Sequence, residues 1–108
     1  MTLNEYQQIA LETAVYPAQY RVIYPALVMN GEAGEVADKV KKIIRDKDAV
    51  LDTEDKKAIA LEVGDVLWCC ATMANDLGFT LQEIAEMNRD KLRSRQLRGK
   101  LGGSGDKR

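Results

Sequence analysis

The chain has 108 residues, which suits one small domain, and its 16 lysines and arginines nearly balance its 17 aspartates and glutamates. This balance argues against a general nucleic-acid binder, which needs a basic excess, and the absence of any run of about 18 apolar residues argues against a membrane span. The sequence contains no histidine, which excludes a Ser-His-Asp triad, a His-ligated zinc site and the Glu-x-x-His di-iron motif.

The predicted elements are helices throughout, so the expected fold class is all-α, with a protomer that resembles a four-helix bundle. The first helix begins at a capping box of Thr2 and Glu5 and runs to about Tyr16. The second helix is predicted from Pro25 to about Arg45, because proline suits the first turn of a helix. This second helix carries the first of two acidic pairs.

The third helix is predicted to begin with Thr53 as its N-cap and to end near Leu77, before Gly78. From Ile59 onward nearly every residue is apolar or small, and a helix that is apolar all round is buried on all sides. A four-helix chain of this size can hardly enclose such a helix alone. Part of the surface of the third helix is therefore predicted to be a subunit interface, with two-fold symmetry.

Two cysteines, Cys69 and Cys70, are adjacent in this helix and cannot form a disulfide framework. They indicate small core residues in a reducing cytoplasm. A vicinal redox pair is the less favoured alternative, because no neighbouring residue lowers a thiol pKa. The first residues, MTLNEYQQ, lack the pattern of a signal peptide, so the expected localisation is cytoplasmic.

The fourth helix is predicted to begin at a capping box of Thr80 and Glu83 and to continue to about Leu97. A glycine-rich basic tail, residues 99–108, follows the predicted domain of residues 1–98. One face of the fourth helix carries polar and basic side chains at helical spacing: Asn88, Lys91, Arg95 and Arg98. A basic face beside apolar residues is typical of a helix that contacts an anion.

Two acidic pairs are the most informative feature of the sequence. Glu32 and Glu35 lie in the second helix, Glu62 and Asp65 lie in the third, and each pair has the three-residue spacing that places both carboxylates on one side of a helix. If the two helices present these pairs to each other, four anions meet in a partly buried place. Such anions repel strongly unless a cation neutralises them, and Mg²⁺ prefers oxygen ligands.

Each acidic pair also has an interpretation without a metal. Glu32 and Glu35 could form a solvated helix flank with Lys39 and Lys42 as partners. Glu62 and Asp65 lie in an otherwise apolar helix, where an unpaired carboxylate costs several kcal/mol. Without a metal they would need salt bridges, for which the candidate partners are basic residues of the fourth helix: Lys91, Arg95 and Arg98.

Taken together, the motifs Glu32-x-x-Glu35, Glu62-x-x-Asp65 and Asn88-x-x-Lys91-Leu92-x-x-Arg95, with the tail GSGDKR, resemble the MazG-like nucleotide pyrophosphohydrolases. These enzymes belong to the all-α NTP pyrophosphohydrolase superfamily, and the resemblance covers about residues 25–95. It implies Mg²⁺-dependent hydrolysis of nucleoside triphosphates, including deoxynucleotides, to the monophosphate and pyrophosphate. Mn²⁺ is expected to be able to replace Mg²⁺. The implied role is house-cleaning or control of the nucleotide pool.

The resemblance also implies roles for individual residues. Metal ligands are expected at four acids and phosphate-binding groups at three residues of the fourth helix: Glu32, Glu35, Glu62 and Asp65 for the metal, and Asn88, Lys91 and Arg95 for the phosphates. Glu32 or Glu35 is expected to act on the attacking water. The family often has two consecutive glutamates at the start of the first motif, and Gly31 stands at the first of these positions here, so which acid acts on the water stays open.

Other expectations concern the base and the partners. Trp68 is predicted to be a core or interface residue, with a place in a base pocket as the functional alternative. The expected partners are a nucleoside triphosphate and further copies of the chain, as a homodimer or homotetramer, with no nucleic acid and no membrane. The alternative functions are a non-catalytic helical dimerisation or nucleotide-sensing module and a phosphoribosyl-ATP type pyrophosphohydrolase.

Overall fold

The computed structural model describes all residues, 1–108, and contains four α-helices and no strand, which confirms the all-α class. A short 3₁₀ turn at Ala18–Tyr20 lies between the first two helices. The helices are α1 (Leu3–Leu11), α2 (Ile23–Asp46), α3 (Thr53–Asp76) and α4 (Leu81–Leu97).

Capping side chains fix three of the helix starts. The boxes predicted at α1 and α4 are present, because Thr2 and Thr80 each accept a hydrogen bond from the backbone of the glutamate three residues later. The N-cap predicted for α3 was wrong by one residue. Asp52 is the cap, since its carboxylate accepts from the Asp55 backbone at 2.8 Å while the Asp55 carboxylate accepts from the Asp52 backbone at 3.1 Å.

The segment between α1 and α2 differs from the prediction. α1 ends at Leu11 rather than near Tyr16, and α2 begins at Ile23. Val22, just before α2, has φ of 68° and ψ of −50°, and the Ile23 N–H donates to the Arg21 carbonyl at 2.8 Å, which closes a γ-turn. A branched side chain in this left-handed region is strained by about 1–3 kcal/mol, so the surrounding contacts must hold it.

α2 and α3 form an antiparallel hairpin, and α1 and α4 pack on α3. Gln7 of α1 ties three elements together from a buried position. Its Nε2 donates to the carbonyls of Ala71 at 3.1 Å and Phe79 at 3.2 Å, and its Oε1 accepts from the Leu81 N–H at 2.9 Å. No local pattern marks Gln7 as buried, because a polar side chain in an amphipathic helix is usually on the surface.

The interior of the chain is small and lies where α1, α3 and α4 meet. Ala10, Ala71 and Leu81 form its centre, and Trp68 packs against them. The Trp68 Nε1 donates to the Ala10 carbonyl at 3.1 Å and to the Thr13 hydroxyl at 2.8 Å. These contacts place Trp68 in the structural role predicted for it.

Both cysteines are reduced thiols inside α3, Cys69 buried and Cys70 half-buried. Burial raises the pKa of each thiol, which keeps it protonated at neutral pH. Their surroundings therefore fit the interpretation as core residues better than a reactive redox pair.

Much of the apolar surface of α3 is exposed within one chain. Leu61 is 65% exposed, and Val63 and Leu67 are also exposed. By length and composition alone α3 is apolar enough to cross a membrane. Core helices of soluble proteins meet the same criterion, so this composition is weak evidence for a span.

Candidate functional site

The antiparallel pairing of α2 and α3 brings three of the predicted acids together. Oxygens of Glu32, Glu62 and Asp65 all lie within 4.8 Å of one another. Glu32 and Glu62 are half-buried in the seam between the helices, and Asp65 is exposed at its edge. The three-residue spacing in α3 puts Glu62 and Asp65 on one side of that helix, and the register of the hairpin places Glu32 opposite them.

Repulsion within this acid cluster, defined as Glu32, Glu62 and Asp65, changes the chemistry of its α2 member. Partial desolvation raises the pKa of Glu32 above its ordinary value, and the nearby charges of Asp65, Glu62 and Glu35 raise it further. The ionised cluster is thus unfavourable by itself, and a bound cation would relieve both effects.

Glu35, the fourth predicted metal ligand, is placed differently. Its side chain is exposed and its carboxylate is not part of the group that converges within 4.8 Å. Glu35 lies close enough to raise the pKa of Glu32 by charge repulsion. It therefore stands beside the acid cluster, on the solvent side, with its carboxylate accessible to water.

The cation that contacts the acid cluster is Lys39. Its Nζ lies 3.3 Å from Glu62 Oε1, and the two side chains are 36% and 19% exposed. Within one chain, no ion pair joins Glu62 or Asp65 to the fourth helix. The sequence held a signal for this contact, because Lys39 lies seven residues after Glu32 and so shares its face of α2.

The acid cluster fits a hard divalent cation by its chemistry and spacing. All its donor atoms are carboxylate oxygens, the type that Mg²⁺ and Mn²⁺ prefer. With Mg–O bonds of about 2.1 Å, two ligand oxygens on one ion lie at most about 4.2 Å apart. Carboxylate oxygens within 4.8 Å of one another need only small side-chain rotations to reach that spacing.

Two of the predicted phosphate-binding residues of α4 line a cleft of their own. Asn88 and Lys91 are exposed and line a shallow cleft of about 290 Å³ with Ile84 and Met87. Their helix packs on α1 and α3. Within one chain, no ion pair links Lys91 to the acid cluster.

Arg95, the third predicted phosphate-binding residue, is covered by the tail. It is 7% exposed, and its Nη2 donates to the Asp106 carbonyl at 2.7 Å. The tail folds back on itself, because the Arg108 guanidinium donates to the carbonyls of Gly105 at 2.8 Å and Gly102 at 3.2 Å. The cover over Arg95 depends on these contacts of the tail, which the helical repeat of α4 does not reveal.

Residues 25–98 match the sequence model of the family described as the MazG nucleotide pyrophosphohydrolase domain. The chain belongs to this family. It is also 42% identical over 114 aligned positions to the "Gene 37 protein" of Mycobacterium phage L5, with all of both chains covered. No solved structure matches the chain.

The match to the MazG domain covers the acid cluster, Glu35 and the predicted residues of α4, and it ends before the tail. It confirms the resemblance seen in the two acidic pairs and the fourth helix. MazG domains are nucleotide pyrophosphohydrolases and are metal-dependent in general. The chain therefore contains a domain of the nucleotide pyrophosphohydrolase family.

Proposed function

We propose that the protein is a Mg²⁺-dependent hydrolase that converts nucleoside triphosphates, including deoxynucleotides, to the monophosphate and pyrophosphate. The observation that carries the proposal is the convergence of Glu32, Glu62 and Asp65 between α2 and α3 in a MazG domain. The proposed role is house-cleaning or control of the nucleotide pool, in the cytoplasm.

The reaction requires water to attack the α-phosphorus. The bond from that phosphorus to the α–β bridging oxygen breaks, and pyrophosphate leaves with that oxygen. When bound, Mg²⁺, or Mn²⁺ in its place, would neutralise part of the triphosphate charge and lower the pKa of a water molecule that it binds. Glu32, Glu62 and Asp65 would hold the metal, while the exposed Glu35 would orient the attacking water and accept its proton.

A second copy of the chain would complete the site. The exposed surface is 7789 Å² for a chain of 12.0 kDa, whereas a compact monomer of that mass exposes about 6,000 Å². The excess matches an extensive interface between copies rather than a weak contact. In a homodimer, or a homotetramer built from dimers, α4 of one copy can bring Asn88 and Lys91 to the triphosphate held at the acid cluster of the other.

The test is a nucleotide panel assayed for monophosphate and pyrophosphate with Mg²⁺. Glu62→Gln and Asp65→Asn should each lower the rate of pyrophosphate release at least about 100-fold, because removal of a group that stabilises developing charge commonly costs that much. Glu54→Gln, an exposed acid at the start of the same helix, serves as the control and should keep the wild-type rate. Undiminished release by both acid-cluster variants would overturn the site.

The same panel addresses the alternative functions. Hydrolysis of phosphoribosyl-ATP in preference to all nucleoside triphosphates would change the substrate and keep the fold. An absence of hydrolysis, combined with a higher melting temperature in Mg²⁺ and nucleotide, would favour a nucleotide-sensing module. An absence of both would favour a dimerisation module.

A further inference from the structure

Lys39 differs from the other lysines of α2 in its ion-pair partner. Its ammonium contacts Glu62 in the acid cluster, whereas Lys41 and Lys42 pair with Asp38 at 2.8 Å and 2.7 Å. The Lys39 side chain also lines a cleft of about 240 Å³ beside the cluster, next to Lys42 and Lys47. It therefore stands at the boundary between the acid cluster and an open space that is lined by two further lysines and by the carboxylates of Asp46 and Asp55.

We infer that Lys39 is a tethered counter-ion that occupies Glu62 in the metal-free protein and must leave when a divalent cation binds. The inference rests on the proposed function, because it assumes that the acid cluster holds the metal. It adds a residue that tunes metal affinity and that no acidic motif contains.

Competition follows from charge and distance. An ammonium 3.3 Å from a Glu62 oxygen would lie within a few Å of a cation bound to the same carboxylate. Two positive charges at that separation repel, and both need the lone pairs of one carboxylate. The divalent ion has more ligands in the cluster, so the ammonium is the partner that moves.

The cleft gives the displaced ammonium a place to go. Lys39 is 36% exposed and its stem already lines that space, so a change of side-chain rotamer is enough to turn the ammonium away from Glu62. Asp46 and Asp55 also line the cleft, so carboxylates are present there to accept the released ammonium away from the metal.

The experiment measures Mn²⁺ binding alone, by the loss of the free Mn²⁺ signal in electron paramagnetic resonance, without nucleotide. Lys39→Met should bind Mn²⁺ about two- to fivefold more tightly than the wild type, the range that a partly exposed ion pair is worth. Lys42→Met removes the same charge from the same cleft and should change the affinity less than about 1.5-fold, since Lys42 pairs with Asp38. Lys39→Arg should bind Mn²⁺ like the wild type.

The outcomes separate this inference from the proposed function. Unchanged or weaker Mn²⁺ binding by Lys39→Met, with a wild type that binds, overturns the role of Lys39 and leaves the metal site standing. Equal tightening in the Lys39 and Lys42 variants also overturns it, because the effect is then a general one of net charge. A failure of every variant and of the wild type to bind Mn²⁺ overturns both proposals. Circular dichroism of each variant checks that the helices are intact.

Discussion

Asp76, the last residue of α3, secures the segment that precedes α2. Its carboxylate accepts hydrogen bonds from the Tyr16 hydroxyl at 2.7 Å and from the Val22 N–H at 2.9 Å. The Tyr16 ring stacks on Tyr24, with centroids 4.7 Å apart. These contacts hold Val22 in its unfavourable backbone conformation. The Asp76 carboxylate therefore helps to fix where α2, the helix that carries Glu32, begins.

The Tyr16 contact makes a prediction about alkaline pH. Burial and the hydrogen bond to Asp76 raise the pKa of Tyr16 to about 12, from 10.0. Because the folded state holds this proton more tightly, the stabilisation is fully present below pH 10 and is lost as pH rises through about 12. Tyr16→Phe should lower the free energy of unfolding by about 1.5 kcal/mol at pH 8, the value of a hydrogen bond to a charged group.

The measurement is urea denaturation of both proteins at a series of pH values from 8 upward. The difference between wild type and Tyr16→Phe should shrink above pH 10. A difference that stays constant up to pH 12 would mean that the hydroxyl is not bonded to Asp76.

At the scale of elements, the glycines of the two acidic helices are notable for the space around them. A Cβ at Gly31, Gly34 or Gly64 would meet no atom of the chain within 4 Å. No packing inside one protomer requires glycine at these helical positions, although each glycine weakens its helix. Space for another molecule, either a second copy or the substrate, is the remaining physical benefit of a missing side chain.

Gly34→Ala tests whether another molecule fills the space beside Gly34 or whether that space is empty. If nothing approaches Gly34, the variant should gain about 0.5–1 kcal/mol of stability from helix propensity, seen as a higher melting temperature. Ala33→Gly, at the adjacent exposed position, should lose a similar amount and serves as the matched control. A lower melting temperature or weaker self-association in Gly34→Ala would place a second molecule against this turn of α2.

The helices were predictable where the determining contacts are local. The capping boxes of α1 and α4 each lie within four residues, so a sequence pattern describes them fully. The pair of Lys39 and Glu62 depends on the register of two helices, and the burial of Arg95 depends on the path of the tail. The spacing within each acidic pair is local and was readable from the sequence, whereas the convergence of Glu32 with Glu62 and Asp65, and the separate place of Glu35, follow from how the two helices face each other.

At the scale of the whole molecule, the chain is open rather than compact. Its radius of gyration is 16.7 Å, whereas a compact domain of this length has about 13 Å. The long hairpin of α2 and α3 extends beyond the small interior at α1 and α4, and it carries exposed apolar side chains such as Leu27 and Leu61. In the proposed oligomer another copy covers this apolar surface, and stability would then depend on protein concentration.

Self-association therefore should show in two ways. The melting temperature should rise with protein concentration, and sedimentation should give a dimer or tetramer. Leu61→Lys, at a 65% exposed position of α3, should shift the protein toward monomer and lower its melting temperature. Val15→Lys, at an 88% exposed position outside the helices, is the control and should leave both unchanged. A wild type that sediments as a monomer at all concentrations would refute the second copy.

The single tryptophan gives the molecule a built-in optical reporter. Because the Trp68 indole donates to Ala10 and Thr13, its ring environment is set by whether α1 lies against α3. Detachment of α1 would expose the indole to water and shift its emission to longer wavelength, independently of the helical signal of α2. Fluorescence and circular dichroism followed together would thus distinguish release of the N-terminal helix from melting of the hairpin, without any label.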